Sequence, residues 1–270
     1  MSEYRDRRVF ITGGSSGIGL ALARQLVAAG AHVAIAARGA ERLEQARASL
    51  ADGADEGQRV LAFRLDVGDR EDVSRVSRQG LEGLGGIDLL VNNAGIARPG
   101  YVHELPDEVF EDMVRVNYLG VVWVTRAFLP ALMGQGRGHV VNVSSLAGVL
   151  GVFGYTAYGG SKFAVSGFSE ALRQELKPHG VGVSVLCPPD TDTPQLAYEE
   201  RYKPAETRAL SGNVKPMSAE VVAKALLEGV AAGRVEIVPG MDSWFTVFMA
   251  RRFPGLVRWI MDRDIAKARR

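Results

Sequence analysis

The sequence has a single cysteine, Cys187, among 270 residues. An intramolecular disulfide framework and a cysteine-cluster metal centre are therefore excluded. The four histidines stand at 32, 103, 139 and 179 with no pair at ligand spacing, so no metal site is expected. An excess of one charge is also missing: 32 basic and 31 acidic side chains leave a net of +1. No overall basic field points to nucleic acid as a partner. No run of 18 uncharged apolar residues occurs, which argues against a membrane-spanning helix. No apolar stretch of signal-peptide type follows the charged start, and the cytoplasm is the expected compartment. Lysine is scarce, 6 against 26 arginines, which reads as a coding bias and not as chemistry.

What is present describes a globular domain. Hydrophobic residues make up 47% and charged residues 23%, close to ordinary soluble proteins. Strand-like apolar runs alternate with helix-like segments. Strands are expected at 8–12, 32–37, 60–65, 88–91, 138–144 and 181–187. Helices are expected at 18–29, 40–50, 70–84 and 158–176, with one long helix or two abutting ones over 107–132. Strands apolar on both faces, each followed by a helix, predict a doubly wound α/β fold, a parallel sheet covered on both sides. No linker or repeat divides the chain, so residues 1–240 read as one domain and 241–270 as a C-terminal extension.

The first strand runs into Thr12-Gly13-Gly14-Ser15-Ser16-Gly17-Ile18-Gly19. Glycines permit a tight turn and let a pyrophosphate approach the backbone. The helix that follows offers free N–H groups and the positive end of its dipole. In dinucleotide-binding folds a carboxylate about 20 residues further on usually meets the ribose 2′-hydroxyl. Here that place holds Arg38, with Arg42 one helical turn later. Guanidinium pairs with phosphate, so NADPH is expected over NADH. Asp66-Val67 after the third strand suits an adenine amino group, or Asp66 simply caps the next helix.

Two tyrosines, Tyr155 and Tyr158, compete for attention, and only Tyr158 has a lysine four residues later, Lys162. That spacing puts both on one helical face. The ammonium is expected to lower the phenol's pKa and tune it as a proton donor. Ser144 and Ser145 close the fifth strand, where a hydroxyl can hold a substrate carbonyl beside the phenol. Asn117, inside the long helix, either braces backbone or holds a water in a proton relay.

Taken together, the glycine turn, Asn92-Asn93-Ala94-Gly95, Asn117, Ser145 and Tyr158-x-x-x-Lys162 resemble the short-chain dehydrogenases/reductases in content and order, over roughly residues 8–195. The resemblance implies a Rossmann-type fold with seven parallel strands and a nicotinamide cofactor. It implies Tyr158 as general acid, Lys162 on the nicotinamide ribose and the phenol, Ser145 on the carbonyl and Asn117 in the relay. Gly13, Ser15, Ser16, Gly17, Ile18, Arg38, Arg42, Asp66, Val67, Asn93, Ala94, Gly95 and Thr193 would hold the cofactor. A homodimer or homotetramer through the helices at 107–132 and 158–176 is implied in the same way.

Pro188-Pro189-Asp190-Thr191-Asp192-Thr193-Pro194, Lys203-Pro204-x-Glu206-Thr207 and the approach Gly151-Val-Phe-Gly-Tyr-Thr-Ala-Tyr158 resemble one branch of that family. Its members reduce the 3-keto group of 3-ketodihydrosphingosine, a long-chain sphingoid base, with NADPH. Steroids and 3-oxoacyl thioesters are the competing substrates, and an NADPH-sensing binding protein is the non-enzymatic alternative. Residues 195–215 are expected to form a substrate lid. In 241–270 aromatic and apolar residues keep helical spacing among seven basic and three acidic side chains. That pattern predicts an amphipathic segment that touches a membrane surface or packs on protein.

Overall fold

The computed structural model describes residues 2–212 and 215–269. Nine strands and eleven α-helices follow one another in it: β1 (Arg8–Thr12), α1 (Gly17–Ala28), β2 (His32–Ala37), α2 (Ala40–Ala51), β3 (Val60–Arg64), α3 (Arg70–Leu84), β4 (Leu89–Asn92), α4 (Asp107–Val114), α5 (Gly120–Gln135), β5 (Gly138–Val143), α6 (Thr156–Leu176) and β6 (Val181–Leu186). Then come β7 (Thr191–Asp192), α7 (Pro194–Glu199), α8 (Ala205–Ser211), β8 (Met217–Ser218), α9 (Ala219–Ala231), β9 (Glu236–Ile237), α10 (Met241–Arg252) and α11 (Pro254–Ala268).

Seven strands form one parallel sheet in the order β3-β2-β1-β4-β5-β6-β9, and β7 pairs with β8 apart from it. The strand order reverses between β1 and β4. Such a switch point opens a crevice at the C-terminal strand ends, where this kind of sheet binds ligands. Each face buries its own core. One joins Val9, Ile11, Val33 and Ile35 of the sheet to α1, α2 and α9. The other joins Phe10, Ala34, Leu90 and Val140 to α3, α5 and α6. Neighbouring residues of a strand thus serve opposite cores, as period-two side chains require.

The segment expected as one helix or two over 107–132 is a continuous helical run, Asp107–Gln135. Between α4 and α5 it widens into a π-helical turn, Arg115–Leu119, which carries Asn117. Such turns are frequent at functional sites. The run is long and apolar enough to cross a membrane, but α5 packs on α3 and the sheet as a core element. α9 and β9 had no counterpart in the strand and helix pattern read from sequence. α9 seals the sheet's first face through Val222, Ala223, Leu226 and Leu227.

The C-terminal extension forms α10 and α11, broken at Phe253 before Pro254. The expected separation of an apolar and a basic face is not there. α11 buries no residue, and Trp244 (59% exposed) and Trp259 (60%) stand out among arginines. Arg263 lies over the Trp259 ring at 5.5 Å. α11 instead lies against α8, where Arg269 pairs with Glu206 at 2.8 Å.

Beneath the crevice a buried polar ladder ties β4, β5, α5 and α6 together. Asn92 Nδ2 donates to Thr125 Oγ1 (2.9 Å) and Asn142 Oδ1 (2.8 Å), and Asn142 Nδ2 donates to Ser169 Oγ (2.9 Å). A buried group left without its partner costs about 1–3 kcal/mol. Asn142→Ala is expected to destabilise the protein by about 2 kcal/mol, because it strips a partner from both Asn92 and Ser169. A urea titration checks this: the midpoint should fall with the slope unchanged.

Candidate active site

The glycine turn sits where β1 enters the crevice, and two of its glycines combine positive φ with no room for a side chain. Gly13 has φ +68°, and a Cβ there would lie 2.8 Å from Asn93 Nδ2 and 2.9 Å from Ala94 Cα. Gly17 has φ +53°, and its Cβ would lie 2.9 Å from Thr193 Cγ2. Positive φ and close approach together leave glycine as the residue that fits. The turn is then clamped from below. Asn93 Nδ2 donates to the carbonyl oxygens of Thr12 (3.0 Å) and Gly13 (3.1 Å). The Thr12 hydroxyl accepts from the backbone N–H groups of Asn93 (3.0 Å) and Ala94 (3.1 Å). Thr12 escaped the sequence reading. Its signal was a hydroxyl on the last strand residue, aimed at the neighbouring strand end.

Ser16 stands at the N-cap of α1 without a side-chain cap bond. The first N–H groups of α1, beside half-buried Ser15, Gly17 and Ile18, therefore face the crevice with the positive end of the helix dipole. A pyrophosphate fits this cradle. Arg38 follows β2 directly and Arg42 lies in the first turn of α2. Both are exposed, and neither makes a side-chain hydrogen bond or ion pair among the described residues. Asp66 does not cap α3. Asp69 does so, accepting from the N–H groups of Glu71 and Asp72. Asp66 Oδ1 accepts from Gly68 N at 2.9 Å, and Val67 packs under Gly120. Gly95 lies against the deeper chemistry: a Cβ there would meet Asn117 Oδ1 at 3.3 Å and Lys162 Nζ at 3.4 Å.

At the end of β5 the two serines divide their work. Ser144 Oγ is buried, donates to the Lys162 carbonyl (2.9 Å) and lies 3.0 Å from Ser166 Oγ, so it braces α6. Ser145 Oγ accepts from Ala147 N (3.1 Å) and shares a hydrogen bond with the Tyr158 phenol. Ser145 is thus the hydroxyl beside the tyrosine. Asn117, fully buried, brackets the backbone of Ile96. Its Oδ1 accepts from Ile96 N (2.8 Å), and its Nδ2 donates to Ile96 O (2.9 Å) and Ser161 Oγ (3.0 Å). Both amide hydrogens are engaged, so the side chain acts as a brace.

Lys162 is 4% exposed and donates to the Val143 carbonyl at 2.9 Å. Its Nζ lies 5.6 Å from the centre of the Tyr158 ring, and burial pushes its pKa down to about 8. The expected lowering of the Tyr158 pKa is not found. Burial raises it, the charge of Glu199 raises it further, and the Ser145 hydrogen bond opposes them. The physical reason is that Lys162 spends its hydrogen bond on β5 while the phenol is desolvated. Tyr155, the competing tyrosine, turns away and donates to Glu199 Oε2 at 2.6 Å. Cys187 is buried with its thiol pushed up to about 12, as suits a packed residue.

Over the crevice lie α7 and α8, the expected lid, of which Asn213 and Val214 fall outside the described residues. Thr193 caps α7 by accepting from Leu196 N at 3.3 Å and faces Gly17. This segment is fastened at several points. Arg98 lies over the Tyr202 ring at 4.0 Å, Tyr101 donates to Glu206 (2.8 Å), and Thr207 donates to the Phe153 carbonyl (2.8 Å).

A phosphate cradle at a topological switch point, beside a serine, a tyrosine and a lysine, defines an oxidoreductase that binds a dinucleotide. The sequence profile of the short chain dehydrogenases matches residues 7–203, and the chain belongs to that family. It is a nicotinamide-dependent ketoreductase. A 3-ketodihydrosphingosine reductase from Bos taurus is 41% identical over 238 residues, 87% of this chain and 72% of that protein. A putative oxidoreductase SadH from Mycobacterium tuberculosis is 34% identical over 275 residues, 99% of this chain and 98% of that protein. A short chain dehydrogenase from Burkholderia phymatum, solved in complex with NAD, is 28% identical with a TM-score of 0.82, covering 95% of this chain and 96% of that one.

Thr12→Val removes the hydroxyl and keeps the shape. It leaves the N–H groups of Asn93 and Ala94 without their acceptor, a loss of about 2 kcal/mol. Cofactor affinity, read by quenching of tryptophan fluorescence, is expected to weaken about tenfold as the turn loosens.

Proposed function

We propose that this enzyme reduces the 3-keto group of 3-ketodihydrosphingosine to dihydrosphingosine, with NADPH, as a step of sphingolipid biosynthesis. The observation that carries the substrate is a set of relatives of that name at about 40% identity over most of the chain. Arg38 and Arg42, exposed and without partners beside the cradle, support the 2′-phosphate and hence NADPH.

The cradle of Gly13, Ser15, Ser16, Gly17 and Ile18 holds the pyrophosphate. Asp66, Val67, Asn93 and Ala94 line the adenosine side, Gly95 lies beside Lys162 toward the nicotinamide ribose, and Thr193 meets the carboxamide. When bound, the nicotinamide supplies the hydride. Ser145 donates a hydrogen bond to the ketone oxygen and fixes it beside the phenol. Tyr158, its pKa raised by burial, keeps its proton through neutral pH and gives it up only to the oxygen that gains negative charge. Lys162 holds positive charge beneath the ring and reaches the nicotinamide ribose. Asn117 keeps the Ile96 backbone, and with it Gly95, in register with Lys162.

The reading includes a homodimer or homotetramer through the outer faces of α4–α5 and α6, where Val114 and Phe163 are exposed. It also includes residence in the cytoplasm, with peripheral contact to a lipid surface. Exposed Met241, Trp244, Phe245 and Trp259, near the exposed Arg251, Arg252, Arg258 and Arg263, support that contact through aromatic and cationic groups. The collinear match to the oxidoreductase SadH favours a second reading, a reductase of another ketone such as a steroid or a 3-oxoacyl thioester.

Oxidation of NADPH by the purified enzyme with 3-ketodihydrosphingosine tests the substrate. Rapid turnover with NADPH and slow turnover with NADH is the expected result. Absence of turnover by protein that binds NADPH would give the second reading the field. Tyr158→Phe is expected to lower kcat by about a thousandfold with NADPH binding retained. Arg38→Glu should shift the preference toward NADH by about tenfold or more. A chain ending at residue 240 should lose flotation with anionic liposomes; equal flotation of both forms would remove the membrane contact.

A further inference from the structure

The lid carries a buried carboxylate that the mechanism above does not use. Glu199, the last residue of α7, is 7% exposed. Its Oε2 accepts from the Tyr155 phenol at 2.6 Å and its Oε1 from the Gln195 amide at 3.0 Å. Those bonds orient it without neutralising it. No cation forms an ion pair with Glu199 among the described residues. The nearby Lys203 ammonium is taken up by Asp190 (3.3 Å) and Glu200 (2.6 Å). Charged side chains this deeply buried are almost always paired.

The position of Glu199 relates it to the reacting carbonyl. Tyr155 and Tyr158 have ring centres 5.6 Å apart, so the carboxylate stands one aromatic ring from the proton donor. Its negative charge is felt by the Tyr158 phenol and by Lys162. α7 begins against the glycine turn at Thr193 and ends at the Tyr155 hydroxyl, so it bridges the two halves of the crevice. The strings that set this chain apart within its family meet around the same point. Asp190 and Lys203 pair, Thr207 holds the Phe153 carbonyl, and Tyr155 itself lies in the approach to Tyr158.

We infer that Glu199 recognises the ammonium group of an amino-ketone substrate, borne on the carbon next to the reacting carbonyl. The inference rests on the sphingoid reading, whose substrate carries such an amine beside its 3-keto group. With the ketone oxygen held by Ser145 and Tyr158, that ammonium falls within a few bond lengths of the phenol. A desolvated ammonium there needs a desolvated counter-charge. Lys203, locked between two other carboxylates, leaves Glu199 available to supply it. Steroids and 3-oxoacyl thioesters bring no ammonium to this place, so the carboxylate selects against them.

The test compares two ketones of equal chain length, 3-ketodihydrosphingosine and the 1-hydroxy-3-ketone lacking the 2-amino group. Each is reduced with NADPH by wild type, Glu199→Gln and Tyr155→Phe. Wild type is expected to prefer the amino ketone by about tenfold or more in kcat/KM. Glu199→Gln should raise KM for the amino ketone about tenfold or more and leave the desamino ketone within a factor of about two. Tyr155→Phe, which frees the carboxylate but keeps its charge, should lower the preference by a smaller factor. Unchanged NADPH affinity reports that the variants are folded. An equal loss on both ketones would mean that Glu199 only braces the lid, and would overturn the inference. So would a wild type indifferent to the amine, with the ketoreductase still standing. A wild type that reduces neither long-chain ketone would overturn the sphingoid reading and this inference with it.

Discussion

The site depends on how closely the turn after β1 approaches the end of β4. At Gly13 the two backbones come so near that a single carbon would collide with Asn93 and Ala94. The Thr12 hydroxyl and the Asn93 amide turn that proximity into four hydrogen bonds. These bonds hold the turn open toward the crevice, with the N-terminus of α1 behind it. A cradle for phosphate needs backbone N–H groups that are fixed and unspent. Here the fixing is done from the sheet side, which leaves the ligand side free.

The same logic governs the catalytic side. Side chains of the candidate site are held by neighbouring polar groups. Ser144 holds the α6 backbone so that Lys162 points at β5. Asn117, displaced inward by one widened helical turn, bridges Ile96 and Ser161. The Asn92–Asn142–Ser169 ladder sets the depth of β4 against β5 below them. Buried polar groups bonded in this way favour one arrangement, because a shift costs them partners, although Asn92 Oδ1 has none among the described residues.

In our proposal the α7–α8 segment distinguishes one ketone from another. It is joined to the body by rings, carboxylates and one backbone carbonyl: Arg98 on Tyr202, Tyr101 on Glu206, Thr207 on Phe153. The C-terminal helix bears on the same place through Arg269 and Glu206. The exposed aromatic surface of α10 and α11 therefore lies next to the α7–α8 segment.

Much of this was legible in the chain itself. The strand at 8–12, the helix at 70–84 and the strand at 32–37 stand where their apolar pattern put them, because parallel strands and amphipathic helices write their burial into local periodicity. The glycine turn and the Tyr158–Lys162 pair were equally plain, since positive φ and one-turn spacing are local demands. What only the tertiary structure decided lies across long separations. Tyr155 and Glu199 are 44 residues apart, and Thr12 and Asn93 are 81 apart. That Ser145 and not Ser144 lies beside the phenol, that burial raises the pKa of Tyr158 and that the Asn117 side chain brackets Ile96 depend on what surrounds each group. In the tail, helical spacing shows which residues share a face, and only the fold brings α11 against α8. Local sequence sets backbone conformation; burial and partnership, which fix charge and reactivity, are properties of the folded neighbourhood.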